Sequence, residues 1–294
     1  MAMMPTDRVA VPSLVKHQVA RRATGELPVR SYMSAPIRTV APDEPLDAAA
    51  EPLSRQGVSC LVVMADGRAV GLLTRSDLVD EAGPAGETLL PPDPAPIASR
   101  MTRGVVQVEA AASLADACRT MIEREVHQVV VVEDGRPIGI LSRWNAIAAA
   151  RDLRLESPIG ELATSVSFIV GSEEPLRVAR AFLDAADVST VLVMDGRFPV
   201  GVFGKREAIR ARDAAPDSAV GWAMNRAVLV LSADLPLHHA AAQMLATGAH
   251  LVVVLREGLQ TGVVTATDFA ALFAAFDEPR SGGSATANGV RHAP

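Results

Sequence analysis

Apolar residues along the chain fall into short blocks of two alternating kinds. Leu114, Ala117, Cys118, Met121 and Ile122 recur at i, i+3, i+4, i+7 and i+8, the stripe of an amphipathic helix. Val129–Val132 is an unbroken apolar run and predicts a strand buried on both faces. Asp134-Gly135 turns that strand into a second one at Pro137–Leu141. The same order is legible earlier in the chain. Ile37–Val40 predicts a short strand, and Leu46–Arg55 a helix that Pro52 stops early or kinks. Cys60–Met64 and Ala69–Leu73 predict a hairpin about Asp66-Gly67, and Thr74 opens a helix running to about Glu81. Late in the chain, Leu251–Leu255 and Thr261–Val264 give the strand pair again. The predicted unit is β-α-β-β-α.

That unit is a tandem repeat. GLLTRSDL at 71–78 recurs as GILSRWNA at 139–146, GVFGKREA at 201–208 and GVVTATDF at 262–269. Gly71, Gly139, Gly201 and Gly262 each precede a polar residue (Asp77, Asn145, Glu207, Asp268) by six positions. Leu46, Leu114, Leu176 and Leu237 stand 31 positions before those polar residues. Met33, Met101, Ala163 and Met224 stand 13 before the leucines, and Val29, Ile97, Ile159 and Val220 four before those. The repeats span 29–81, 97–151, 158–213 and 220–277; in the third, the Asp195-Gly196 turn is shifted by one residue. One such unit has too little core to stand alone, so the units are expected to pair. Residues 82–96, rich in Pro and Gly, predict an irregular linker. Residues 1–28 form an N-terminal arm made basic by Arg8, Lys16, Arg21 and Arg22. In it, Val11, Leu14, Val15 and Val19 share a candidate helical face. Residues 278–294 have a disordered composition.

The repeat of about 60 residues ending in Gly-h-h-Thr/Ser-x-x-Asp, with h an apolar residue, resembles the CBS domain, named for cystathionine β-synthase. The resemblance covers about 29–276. It implies an α/β (α+β) fold of four CBS repeats in two pseudo-two-fold modules, repeat one with two and three with four. It leaves open whether the two modules form a flat disc within one chain or two chains pair as a homodimer.

The repeated ending has two chemical readings. As structure, Thr74 and Asp77 resemble a capping box, as do Ser142 with Asn145 and Thr265 with Asp268, while Gly204 is a tolerated N-cap. A cap explains the small first residue but does not by itself ask for a carboxylate three residues on. As function, a helix N-terminus suits a phosphate, and a carboxylate one turn along suits the two ribose hydroxyls. CBS pairs of this pattern bind adenosine compounds, so the resemblance implies AMP, ADP, ATP or S-adenosylmethionine as regulatory ligand, with no cofactor required. It places Thr74, Arg75 and Asp77 opposite Val105, Val106, Val126 and His127. It places Thr265, Thr267 and Asp268 opposite Val166, Phe168, Val188 and Ser189. Two sites depart from the pattern and are expected to bind more weakly: Ser142 with the uncharged Asn145, and Gly204 with Glu207, where Lys205, Arg206 and His250 could compensate.

Composition narrows the choice. A net charge of -6 argues against a general nucleic-acid binder. No apolar run approaches the ~20 residues of a membrane helix, and MAMMPTDRVA lacks the apolar core of a signal peptide. The expected location is the cytoplasm. Cys60 and Cys118 fit no metal or disulfide framework and read as buried free thiols. Adjacent His238 and His239 point to different faces and make a poor metal site. Tyr32 and Trp222 read as packing residues. No nucleophile–base set, P-loop or GxGxxG is present, so no catalytic residue is expected. The functional reading is an adenosine-nucleotide sensor that signals to a protein partner. Its alternative is a scaffold of CBS repeats with no bound nucleotide.

Overall fold

The computed structural model describes residues 27–54, 58, 60–74, 77, 95–164, 168–185, 190–204, 207–208, 211, 214–226, 228–249, 251–257 and 259–275. The basic arm up to residue 26, the linker from 82 to 94 and the tail lie outside these. In repeat one, strand β1 (Thr39–Val40) is followed by helix α1 (Asp47–Ser54) and the hairpin β2 (Cys60–Ala65) and β3 (Arg68–Thr74). A short β4 (Thr102–Arg103) precedes repeat two: β5 (Gln107–Glu109), α2 (Leu114–Glu123), β6 (Gln128–Glu133), β7 (Arg136–Ser142) and α3 (Arg143–Asp152). Repeat three holds β8 (Ile169–Gly171), α4 (Leu176–Ala185), β9 (Thr190–Asp195) and β10 (Phe198–Gly204). Repeat four holds β11 (Leu229–Ser232), α5 (Leu237–Thr247), β12 (Leu251–Arg256), β13 (Leu259–Thr265) and α6 (Ala266–Ala274). Pro52 lies inside α1.

Each repeat forms a sheet in which the first strand lies parallel to the middle one and the hairpin partner antiparallel to it. The turns at Asp66-Gly67 and Asp134-Gly135 have positive φ at both residues, as a tight hairpin requires. In repeat three the turn falls on Gly196 and Arg197, with Asp195 ending the strand, so it keeps the register of the other hairpins and the one-residue shift read from Asp195-Gly196 is not present. A bulge falls at the same place in all four hairpins, just before Gly71, Gly139, Gly201 and Gly262.

The sequence anchors are explained by exchange between paired repeats. Val29 is buried in the core of repeat two and Ile97 in that of repeat one. Ile159 is buried with repeat four, and Val220 with repeat three. Each leading segment also supplies the carbonyl that accepts the first helical N–H of its partner: Leu46 N to Ala95 O, Leu114 N to Leu27 O, Leu176 N to Ser218 O and Leu237 N to Ser157 O, at 2.8–3.0 Å. An orphan donor of each helix start is thereby satisfied from the other repeat. Leu27, at the end of the predicted arm, is already part of repeat two's core.

Five residues after Val29, Ile97, Ile159 and Val220, the same segments lie along the partner's hairpin. Ser34 pairs with Ile140, Thr102 with Leu72, Thr164 with Val263 and Asn225 with Val202. Here the repeated glycines meet the repeated methionines. A side chain on Gly71 would strike Met101 Sδ, one on Gly139 would strike Met33, and one on Gly201 would strike Met224. Gly262 lies against Ala163 and the carbonyl of Thr164. These contacts join one with two and three with four. Between repeats one and two, the sheets also pack face to face through Cys60, Val62 and Leu72 against Val130, Val132 and Ile140.

A further core joins repeat two to repeat four. Leu114, Cys118, Met121, Ile147 and Ala150 pack in one cluster with Leu237, Met244, Phe269, Leu272 and Phe273. The four helices α2, α3, α5 and α6 face one another there. Both cysteines are buried free thiols, and burial pushes Cys118 up to about 12. Trp222 differs from expectation: it is 71% exposed and not a core residue. Tyr32 is half-buried against repeat two, as a packing residue should be.

Candidate functional site

The four repeated endings fold alike. In repeat one, Thr74 N and Oγ1 both donate to Asp77 Oδ2, at 2.6 and 2.7 Å. In repeat four, Thr265 N and Oγ1 both donate to Asp268 Oδ2, at 2.7 and 2.9 Å. In repeat two, Ser142 N and Oγ donate to Asn145 Oδ1, at 2.7 and 2.9 Å. In repeat three, Gly204 N donates to Glu207 Oε2 at 3.1 Å. The capping box read in the sequence is present: the residue three positions on is half of the cap, so its acceptor oxygen has structural work in every repeat. Asn145 accepts two hydrogen bonds, and its Nδ2 donates to Tyr32 O at 2.7 Å. Both ends of that amide are committed to structure.

The caps in repeats one and four leave a different remainder. Each uses one carboxylate oxygen, Oδ2, for both Thr hydrogen bonds. The second oxygen is a further acceptor of the kind a ribose diol requires. Asp268 is buried, with 5% exposure. Burial pushes its carboxyl above the ordinary range. The hydrogen bonds from Thr265 and the charge of Arg143 act the other way.

Arg143 is the residue the sequence reading missed. It opens α3 in repeat two, but its Nη1 donates to Thr267 Oγ1 in repeat four at 2.8 Å. Its Nη2 donates to Val126 O at 3.1 Å, and its backbone N–H to His127 O at 3.1 Å. Val126 and His127, predicted to face Thr74, thus frame a guanidinium directed at repeat four. Nothing in the hydrophobic pattern signals a contact between side chains 124 positions apart.

The remaining predicted residues divide. Val105 packs on the layer between the sheets of repeats one and two, and Val106 on the helical core. Phe168 packs in repeat three's own core, its ring 5.2 Å from that of Phe182. Glu207 is buried in its cap. Arg75, Val166, Val188, Ser189, Lys205, Arg206 and His250 lie outside the described residues. Among the described residues, no cluster of His, Cys, Asp and Glu is arranged to hold a metal ion. His238 Nδ1 instead lies 2.9 Å from Leu155 O. No described helix is long and apolar enough to cross a membrane.

With four sheets, exchanged leading segments and capped helix starts, the fold defines a protein of paired α/β repeats. The family model for the CBS domain matches residues 29–83, 97–152 and 218–275, more than half of the chain. The chain belongs to the CBS domain family. The matched stretches are repeats one, two and four. Repeat three, with Gly204 and Glu207 at the motif, keeps the strand–helix–strand–strand order. Among solved structures, the chain is similar to protein MJ1225 of Methanocaldococcus jannaschii, proposed as an archaeal homologue of γ-AMPK. The match is 18% identical, covers 84% of this chain and 100% of that one, and has a TM-score of 0.65. A conserved protein of Pyrococcus horikoshii is 21% identical over 84% of this chain and 100% of that one, with a TM-score of 0.60. At these identities the likeness is one of fold.

Proposed function

We propose that this chain is a regulatory sensor that binds an adenosine nucleotide (AMP, ADP, ATP or S-adenosylmethionine) at Thr74/Asp77 and Thr265/Asp268. A bound nucleotide favours one arrangement of the paired repeats and passes that preference to a partner protein. Membership of the CBS family supports this reading. The observation that carries it is the contrast between Asn145 and Asp268. Repeat two closes the same cap with a neutral amide. Repeat four closes it with a carboxylate whose burial opposes its ionisation. Capping therefore does not account for the acid, and a ligand offering two hydroxyls does. The weaker sites follow from the same chemistry: Asn145 has no second acceptor oxygen, and Glu207 is held in a cap without a hydroxyl partner. That all four caps are satisfied within the protein is what favours the alternative, a scaffold with no nucleotide.

A thermal-shift panel of AMP, ADP, ATP, S-adenosylmethionine, NAD and GTP, followed by calorimetry, separates the two. A ligand at ~100 times its Kd adds about 2.7 kcal/mol of stability. The Asp77→Ala/Asp268→Ala variant is expected to stay folded and lose the response. Full affinity in that variant, or a flat panel from a folded sample free of carried-over nucleotide, would reject the sensor.

A further inference from the structure

We propose that Arg143 of repeat two is a phosphate-binding residue of the repeat-four site, so that a phosphorylated ligand there is held by both modules at once. This rests on the nucleotide reading above and adds to it the group that meets the phosphate.

The repeats themselves point to the residue. The position directly after the capping residue is Arg75 in repeat one, Arg143 in repeat two and Lys205 in repeat three, but Ala266 in repeat four. Repeat four thus combines a Thr/Asp cap with a helix start that lacks its own cation. The structure brings one from elsewhere: Arg143 Nη1 reaches Thr267 Oγ1, on the first turn of α6, at 2.8 Å.

The electrostatics of that placement ask for an anion. A helix N-terminus carries partial positive charge, so a guanidinium beside it is disfavoured unless negative charge joins them. Among the described residues Arg143 forms no salt bridge. Its Nε is buried without a hydrogen-bond partner. Asp268 is the carboxylate within electrostatic reach, and its single charge faces both the guanidinium and the N-terminus of α6. Nη1 and Nη2 each make one hydrogen bond and keep a second N–H, and a half-buried, always-charged fork of this kind aimed at a helix N-terminus fits a phosphate group and not a neutral nucleoside.

The test is calorimetry with AMP and with adenosine on the full chain in an Asp77→Ala background, which silences repeat one. Arg143→Gln retains a donor for Thr267 while removing the charge; Arg143→Ala removes both. Either substitution is expected to weaken AMP about tenfold or more while adenosine changes by less than about twofold. Adding Ala266→Arg places the cation in repeat four itself and is expected to recover AMP affinity, which a purely structural Arg143 would not allow. Equal losses for AMP and adenosine, or AMP affinity unchanged by both substitutions, overturn the proposal. So does loss of all binding in the Asp77→Ala background, with the nucleotide reading then resting on repeat one. A native chain that binds neither ligand ends both.

Discussion

Asn145 and Asp268 occupy the same position in the same cap and differ by one atom and one charge. Asn145 satisfies its amide at both ends, on Ser142 and on Tyr32 O. Asp268 accepts from Thr265 but holds a carboxylate in a buried place. Because burial raises the Asp268 carboxyl, the folded chain binds that proton more tightly than the unfolded chain does. The stability contributed by this group therefore falls as pH rises from the ordinary carboxylate value through the raised one. Asp268→Asn is expected to keep the cap and raise the melting temperature at neutral pH. Its advantage over the native chain shrinks on acidification, as the native carboxyl takes up its proton. Melting curves across that range check it; a neutral-pH loss of stability would show that the charge is needed for folding. The same variant is expected to lose nucleotide affinity, separating stability from binding.

At the scale of the element, the exchanged segments account for spacing that composition leaves obscure. Gly71 must be small because Met101 crosses its strand: a Cβ there would lie 2.5 Å from Met101 Sδ and 3.0 Å from Thr102 O. At Gly262 the obstacle is backbone, Thr164 O at 2.5 Å, and no rotamer relieves it. Gly262→Ala is therefore expected to destabilise more than Gly71→Ala, the latter by about 1–3 kcal/mol. Truncating Met101 should recover part of the Gly71→Ala loss, whereas Ala163, already small, offers no such relief at Gly262. Denaturant unfolding of the single and double variants measures this ordering; equal costs would count against it. The sequence displayed these glycines, methionines and branched residues in register. It could not show that each contact is made with the other repeat, because periodicity records spacing and not which copy fills it.

At the scale of the molecule, the shared core of repeats two and four makes the two modules energetically dependent. Phe273 is fully buried there, and α6 packs against α2. Phe273→Ala is expected to cost about 3–5 kcal/mol. It should also raise hydrogen exchange in α2 of repeat two, more than 140 positions away in sequence. Exchange confined to repeat four would mean that the shared core transmits nothing. The same interface carries Arg143 to Thr267, so ligand binding at repeat four is expected to tighten the contact between modules.

What the sequence determined by itself was local and periodic. Short apolar runs, Asp-Gly turns and helix-starting polar residues dictate the β-α-β-β-α unit, since each acts over a few neighbouring residues. Fourfold spacing then dictates repetition, and the need to bury one face of each sheet dictates pairing. The tertiary structure decided what depends on distance in space. It put Leu27 and Val29 into repeat two, Ile97 into repeat one and Trp222 on the surface. It also joined repeat two to repeat four and made Arg143 a bridge between Val126 of its own repeat and Thr267 of repeat four. Those outcomes depend on which apolar faces meet when four nearly equivalent units pack, a choice made by shape complementarity between surfaces that no single repeat contains.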